Sequence, residues 1–362
     1  MFLMEVKSDY EARVRENVSR FGGFFNAHSH GDRAYTFNDD FYPSIQSSVS
    51  LFESLSLSEK QNLVWRLHKG PAFEPKCVRE RMTRFLDESI RFGVSRINSC
   101  IDVTYNTGLE GWKVACELRE GYRGKIDFKL GAYNVSGFKD GEAGKARWEF
   151  FSEAVRDADF LVALAEKDRK PGHIGEEQHN VYFLNKGLEL GIPVHFHVGQ
   201  ENRVTDKGTD LLFGNIRQVY DLQHRLKEKD YPKNLLVHDI SVACCDDDDF
   251  KRHCESLVRY GVGVVCCPTA GVSMRQDRRL VVPTHNSLAR VWDYALRKIP
   301  VFVGTDNVND VFVPSSNADV YDELMVLTNV LRLYNPEIIA KLGAGVSFDD
   351  FDRENINRVI NP

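Results

Sequence analysis

The feature that most constrains this chain is a rhythm in which short apolar runs alternate with longer amphipathic stretches. The apolar runs fall at 23–27, 95–103, 126–133, 160–165, 192–197, 235–238, 262–267 and 301–304. Between them lie stretches with helical spacing at 77–92, 109–120, 178–190, 209–227, 250–260 and 287–298, several ended by Gly93, Gly191 or Pro300. Strand and helix in alternation are the signature of βα units around a parallel sheet. Eight such units close most naturally into a (β/α)8 barrel of the TIM type, so the expected class is α/β. An open doubly wound sheet is the rival. It needs fewer units and usually carries a Gly-rich phosphate loop after its first strand, which is missing here.

At 362 residues the chain fits one large barrel domain spanning 1–362, with no repeat or Pro/Gly-rich linker to divide it. The segment 35–75 is too long for an ordinary βα loop and has helical spacing of its own, so a helical lid inserted after the first strand is expected there. Hydrophobic residues make up 42% and charged residues 28% of the chain, enough to bury a large core. The 47 basic and 53 acidic residues leave a net charge of -6 without a basic cluster, which argues against a nucleic acid polymer as partner. No apolar run is long enough for a membrane span, and the charged start MFLMEVKSDYEARVRENV does not read as a signal peptide. A cytoplasmic protein with a small-molecule substrate is expected, with a homo-oligomer left open. The eight cysteines include the adjacent pairs Cys244–Cys245 and Cys266–Cys267 and read as buried thiols. The acidic run 246–249 reads as a helix start, where carboxylates favour the positive end of the helix dipole.

Strand residues alternate faces, so His28 and His30 in FFNAHSH project to one side and can share an ion. The same arithmetic pairs His195 with His197 in VHFHVG. His238 ends the sixth strand and Asp306 follows the eighth, all at carboxyl ends of strands, where barrel active sites are assembled. Of the eleven histidines, His68, His173, His179, His224, His253 and His285 fit surface or supporting positions and receive no role.

In their order, HSHGD, HFHVGQ, LVHDI and GTDNVND resemble the amidohydrolase superfamily, and within it the cytosine deaminase branch more than the adenosine deaminase branch. GVSRINSCIDVT, IDFKLGAYNVSG, CCPTAGVSM and GTDNVNDVFVPSSNADVYDEL extend the likeness over most of the chain. The resemblance implies a metal-dependent hydrolase of carbon–nitrogen bonds. It implies His28, His30, His197 and Asp306 as ligands of one divalent ion, zinc in the first place and iron as the alternative. Asp306 would also accept a proton, and His238 would orient the water and stabilise charge. An ion held this way lowers the pKa of its water from ~15.7 toward ~7, giving hydroxide at neutral pH.

Two departures bear on the substrate. The deaminase pattern H-x-x-E places a proton-carrying Glu three residues after the strand-five ligand, where this chain has Gln200. An amide can hydrogen-bond but cannot carry a proton. Glu201 is next door, though a one-residue offset normally turns a side chain away. After the third strand, where cytosine deaminases read the pyrimidine with a Gln, stands Val135; Tyr133 and Asn134 are polar candidates for a different substrate edge. Asn307, after Asp306, is a further substrate-binding candidate. The expected reaction is therefore deamination or amide or lactam hydrolysis of a small, cyclic nitrogenous substrate, with Gln200 among the residues that act. The alternatives are a binuclear amidohydrolase bridged by a carboxylated Lys167, and a binding protein that kept the barrel without turnover.

Overall fold

The computed structural model describes residues 6–41, 55, 57–139, 142–201, 205–223, 231–273 and 287–361. Strands β1 (Phe24–Ser29), β2 (Val94–Asp102), β3 (Asp127–Tyr133), β4 (Phe160–Ala163), β5 (Val194–Val198), β6 (Leu235–His238), β7 (Gly263–Cys266) and β8 (Val301–Val303) pair consecutively in one parallel sheet. Each pairs in parallel with its successor, from Phe24 against Val94 through to Cys266 against Val303. The (β/α)8 reading of the sequence is therefore what the chain adopts.

The last seam is closed by backbone just beyond β8. Asp306 N–H donates to His28 O at 2.9 Å and His30 N–H donates to Asp306 O at 2.9 Å, a parallel bridge at Ser29. Asn26 laces the same seam from inside: its amide donates to Thr305 Oγ1 at 2.9 Å, and its Oδ1 accepts from Thr305 N–H at 3.1 Å. The two backbones come so close that a Cβ on Gly304 would lie 2.6 Å from His28 O and 2.8 Å from His28 N. Only glycine permits that approach.

Alternation along the strands sorts side chains into layers. Val194, Phe196 and Val198 of β5 join the apolar layer under the helices, which leaves His195 and His197 to the barrel interior. On β6, Leu236 faces the helices, while Leu235 and Val237 pack inside with Ala27 and Val265. Continuous apolar runs arise because both faces are covered.

Helices follow the strands much as the spacing predicts. Glu176–Leu190 stops at Gly191, whose φ of +67° makes the left-handed turn that ends it. The acidic run is the N-terminus of Asp247–Tyr260, where the Asp246 carboxylate caps Asp249 N–H at 2.8 Å. The stretch expected at 287–298 is helical only over Val291–Leu296, because Ser287 takes a φ of +47° and so does not enter a right-handed helix. The stretch expected at 209–227 is Gly208–Ile216 followed by a wider π-helical turn, Arg217–Gln223; 224–227 lie outside the described residues.

The expected lid at 35–75 lies partly outside the described residues, at 42–54 and 56. Within it the helix Leu57–Leu67 reaches from the β4 end to the β8 end: Gln61 Nε2 donates to Glu166 Oε1 at 3.3 Å and Lys60 Nζ to Phe312 O at 3.0 Å. Among the described residues no disulfide forms; Cys100, Cys254, Cys266 and Cys267 are buried thiols as expected, whereas Cys77, Cys116 and Cys245 are only half-buried. No described helix is long and apolar enough to cross a membrane.

Candidate metal centre

Four side chains from three strand ends meet at the carboxyl-terminal mouth of the barrel. One ligand atom from each of His28, His30, His197 and Asp306 lies within 4.8 Å of every other. His28 Nε2 and His197 Nε2 approach to 3.1 Å, and Asp306 Oδ1 lies 3.2 Å from His30 Nε2 and 3.5 Å from His28 Nε2. Two nitrogens each about 2.0–2.1 Å from a tetrahedral zinc ion would stand about 3.3 Å apart, so the spacing fits one shared cation. The Nδ1 atoms of His30 and His197, on the far side of each ring from this point, are buried without a hydrogen-bond partner among the described residues.

The charge states suit the same ion. Burial pushes the imidazoles of His28, His30 and His197 below their ordinary value, so all three are neutral near pH 7 and offer lone pairs. Burial acts on Asp306 in the opposite direction, but the facing His28 and His30 overcome it and hold the carboxyl well below the usual range. Neutral imidazoles beside an ionised carboxylate are what a divalent cation requires.

The backbone is bent to achieve this. His238, Asp239 and Asp306 have φ of +79°, +48° and +54°, in the left-handed region. Such residues cost about 1–3 kcal/mol each and persist where the surroundings over-determine them. For Asp239 the surroundings are explicit: its carboxylate accepts from Tyr294 Oη at 2.6 Å and His253 Nε2 at 2.9 Å, and its N–H donates to Val198 O. This anchor turns the preceding His238 into the mouth, with Nε2 3.6 Å from Asp306 Oδ2 and Nδ1 buried without a partner. Burial brings the His238 imidazole down to about 4.

Around the cluster, Tyr133 stacks on His197 with ring centroids 5.3 Å apart. Val135 joins Val64, Cys100, Phe160, Val162 and Leu164 in an apolar patch. Gln200 is buried and its amide donates to Glu166 Oε1 at 2.8 Å. Glu201 turns toward the rim, 3.7 Å from Arg169. Both polar atoms of Asn134 are used within its own turn, Nδ2 donating to Gly137 O and Oδ1 accepting from Ser136 N–H. Asn307 donates to Asp310 Oδ2 at 2.8 Å and so braces the loop after β8. His195 lies on the same face as His197 but deeper, stacked on Phe160 at 4.1 Å. Lys167 is buried in the turn Ala165–Arg169, where burial lowers its ammonium to about 8; among the described residues it makes no hydrogen bond or ion pair to the four clustered side chains.

Sequence reasoning passed over a buried charge network beside this site. Asp102, ending β2, accepts from Arg33 Nε at 2.6 Å and Nη2 at 2.5 Å, and pairs with His68 Nε2 at 2.7 Å. His68 is thus a buried partner of a carboxylate, and His179 is likewise bound to Asp168 at 2.7 Å. His224 and His285 lie outside the described residues. Glu166, just past β4, is likewise not singled out by spacing, since its partner Gln200 lies 34 residues further on.

No known protein-family profile matches the chain. An uncharacterised protein of Haemophilus influenzae is 22% identical over 279 residues, covering 77% of this chain and 92% of that one. Among solved structures, 5-methylcytosine deaminase of Klebsiella pneumoniae with 5-fluorocytosine matches at a TM-score of 0.73 and 15% identity, over 93% of this chain and 74% of that one. The chain shares the barrel fold of this deaminase. N-isopropylammelide isopropylaminohydrolase of Burkholderia multivorans matches at 0.63 and 16% identity, over 93% and 74% of the two chains. Guanine deaminase of C. acetobutylicum matches at 0.56 and 10%, over 94% and 82%. Within this barrel, the cluster of three imidazoles and a carboxylate occupies the mouth at the carboxyl ends of the strands.

Proposed function

We propose that this protein is a metal-dependent hydrolase of carbon–nitrogen bonds acting on a small, cyclic nitrogenous substrate. The observation that carries the reading is the convergence of His28, His30, His197 and Asp306 on one point, buried and in ligand-ready charge states. The structural likeness to two deaminases and an aminohydrolase supports it. A divalent ion, zinc or iron, held by these four would supply Lewis acidity and a water acidic enough to attack at neutral pH.

The protein's own groups divide the remaining work. Asp306, ionised at neutral pH, takes a proton from the attacking water and returns it to the departing nitrogen. His238 is neutral and stands 3.6 Å from Asp306, placed to hydrogen-bond the oxygen on which charge develops at the tetrahedral carbon. Val135 and its apolar neighbours give one wall of the site without a pyrimidine-reading amide. Gln200 offers an amide rather than an acid, and Asn307 contributes by bracing the loop that carries Asp306.

The test is a screen of the zinc-loaded protein against amides, lactams and aminated heterocycles for release of ammonia or carboxylate. His238→Ala is expected to lower kcat by roughly 10²-fold or more, and Asp306→Asn to abolish turnover and reduce bound zinc. A wild-type rate in either variant would overturn the assignment, as would absence of turnover across the panel.

A further inference from the structure

Position 200 carries an amide, and the structure sets an acid directly against it. Gln200 Nε2 donates to Glu166 Oε1 at 2.8 Å, and Gln61 Nε2 donates to the same oxygen at 3.3 Å. Glu166 Oε2 makes no hydrogen bond among the described residues. The two residues come from neighbouring strands, Gln200 just past β5 and Glu166 just past β4, so this contact joins adjacent strand ends, and Glu166 lines one small cavity together with His197. Tyr133, which stacks on His197, has its hydroxyl raised well above the ordinary value by burial first, with the charge of Glu166 adding a smaller push in the same direction.

The turn that presents Glu166 is clamped from below. Asp168, two residues on, accepts from Phe138 N–H at 2.7 Å and pairs with His173 Nδ1 at 2.8 Å and His179 Nδ1 at 2.7 Å. His179 Nε2 in turn accepts from Leu164 N–H at 3.2 Å. A carboxyl held this firmly is a placed group. The amide at 200 also follows from it: a second carboxylate there would face Glu166 at hydrogen-bond distance, two like charges in a poorly solvated site, whereas an amide donates to it.

We propose that Glu166 is the proton-carrying catalytic residue of this site, moved from the fifth strand end to the fourth, with Gln200 as its positioning residue. The site then keeps the means to protonate a ring nitrogen, which selects cyclic amidines bearing an amino group over lactams. The inference rests on the carbon–nitrogen hydrolase reading. In the step, Glu166 gives its proton to the ring nitrogen while the water oxygen bonds to the amino-bearing carbon and Asp306 takes one water proton. Asp306 passes that proton to the amino nitrogen, the C–N bond breaks and ammonia leaves. The remaining hydroxyl proton returns to Glu166 as the carbonyl forms, so both carboxyls end as they began. Burial raises the Glu166 carboxyl above its ordinary value, against the two amide hydrogen bonds, which is the direction a proton donor needs.

The experiment assays zinc-loaded protein for ammonia release from cytosine, isocytosine and aminotriazines, with hydantoin and dihydrouracil as the lactam arm. Glu166→Gln is expected to lower kcat by ~10²-fold or more with KM little changed, and to remove the limb of the kcat profile that falls as pH rises. The Gln oxygen still accepts from Gln200 and Gln61, so a merely structural role would leave the rate intact. Glu166→Gln combined with Gln200→Glu should recover roughly tenfold over the single variant. Undiminished ammonia release by Glu166→Gln, or turnover confined to lactams, overturns the proposal. Turnover of neither arm sinks the hydrolase reading instead. Glu166 is then judged by a 13C NMR titration of glutamate-labelled, zinc-loaded protein, with its signal assigned from Glu166→Gln. A midpoint above the ordinary glutamate value of about 4.3 supports it, and one at or below that value overturns it.

Discussion

Glu323, in the helix Val320–Leu331, is 3% exposed, and its Oε2 accepts from Thr269 N–H at 2.8 Å. Burial pushes its carboxyl up to about 8. A folded pKa above the unfolded one means that the native state binds the proton better. The stability this group contributes is therefore complete below about pH 4.3 and is lost as pH rises toward 8. Glu323→Gln does not titrate, so its stability relative to the parent should rise by on the order of a few kcal/mol between pH 5 and pH 9, read from urea denaturation. A pH-independent difference would contradict this. At this scale much of the candidate site was legible: the H-x-H pairs and Asp306 at strand ends include the four residues that meet, His28, His30, His197 and Asp306. Glu166 and the Arg33–Asp102–His68 network were not, because their partners lie 34 and 69 residues apart and only the barrel's curvature joins them.

The strands were readable to within about two residues because most are covered on both faces and so appear as apolar runs, while β2 and β3 keep polar, partly exposed residues in their first halves. The helices were less so: Val291–Leu296 is shorter than its spacing suggested, since positive φ at Ser287 overrides amphipathic pattern. What no pattern displays is the seam between β8 and β1, which rests on Gly304 lying against the His28 backbone. Gly304→Ala is expected to destabilise the fold by about 1–3 kcal/mol and to weaken zinc binding, because the backbone that must move carries a ligand. Urea denaturation and a zinc titration of the same variant check both parts; parent-like values in both would show that the seam is slack.

For the whole molecule, eight strand ends converge on one mouth, and residues as distant as His28, His197 and Asp306 become neighbours there. The left-handed backbone at His238, Asp239 and Asp306 is a stability cost concentrated at that mouth. An ion held by these four residues would offset it by mass action, since it would bind the folded state and not the dispersed ligands. The direct measurement is anomalous diffraction at the zinc edge from crystals of the zinc-loaded protein, paired with elemental analysis. The account predicts one ion per chain, within ligand distance of His28, His30, His197 and Asp306. Two ions bridged through Lys167, or density with those four side chains turned apart, would contradict it.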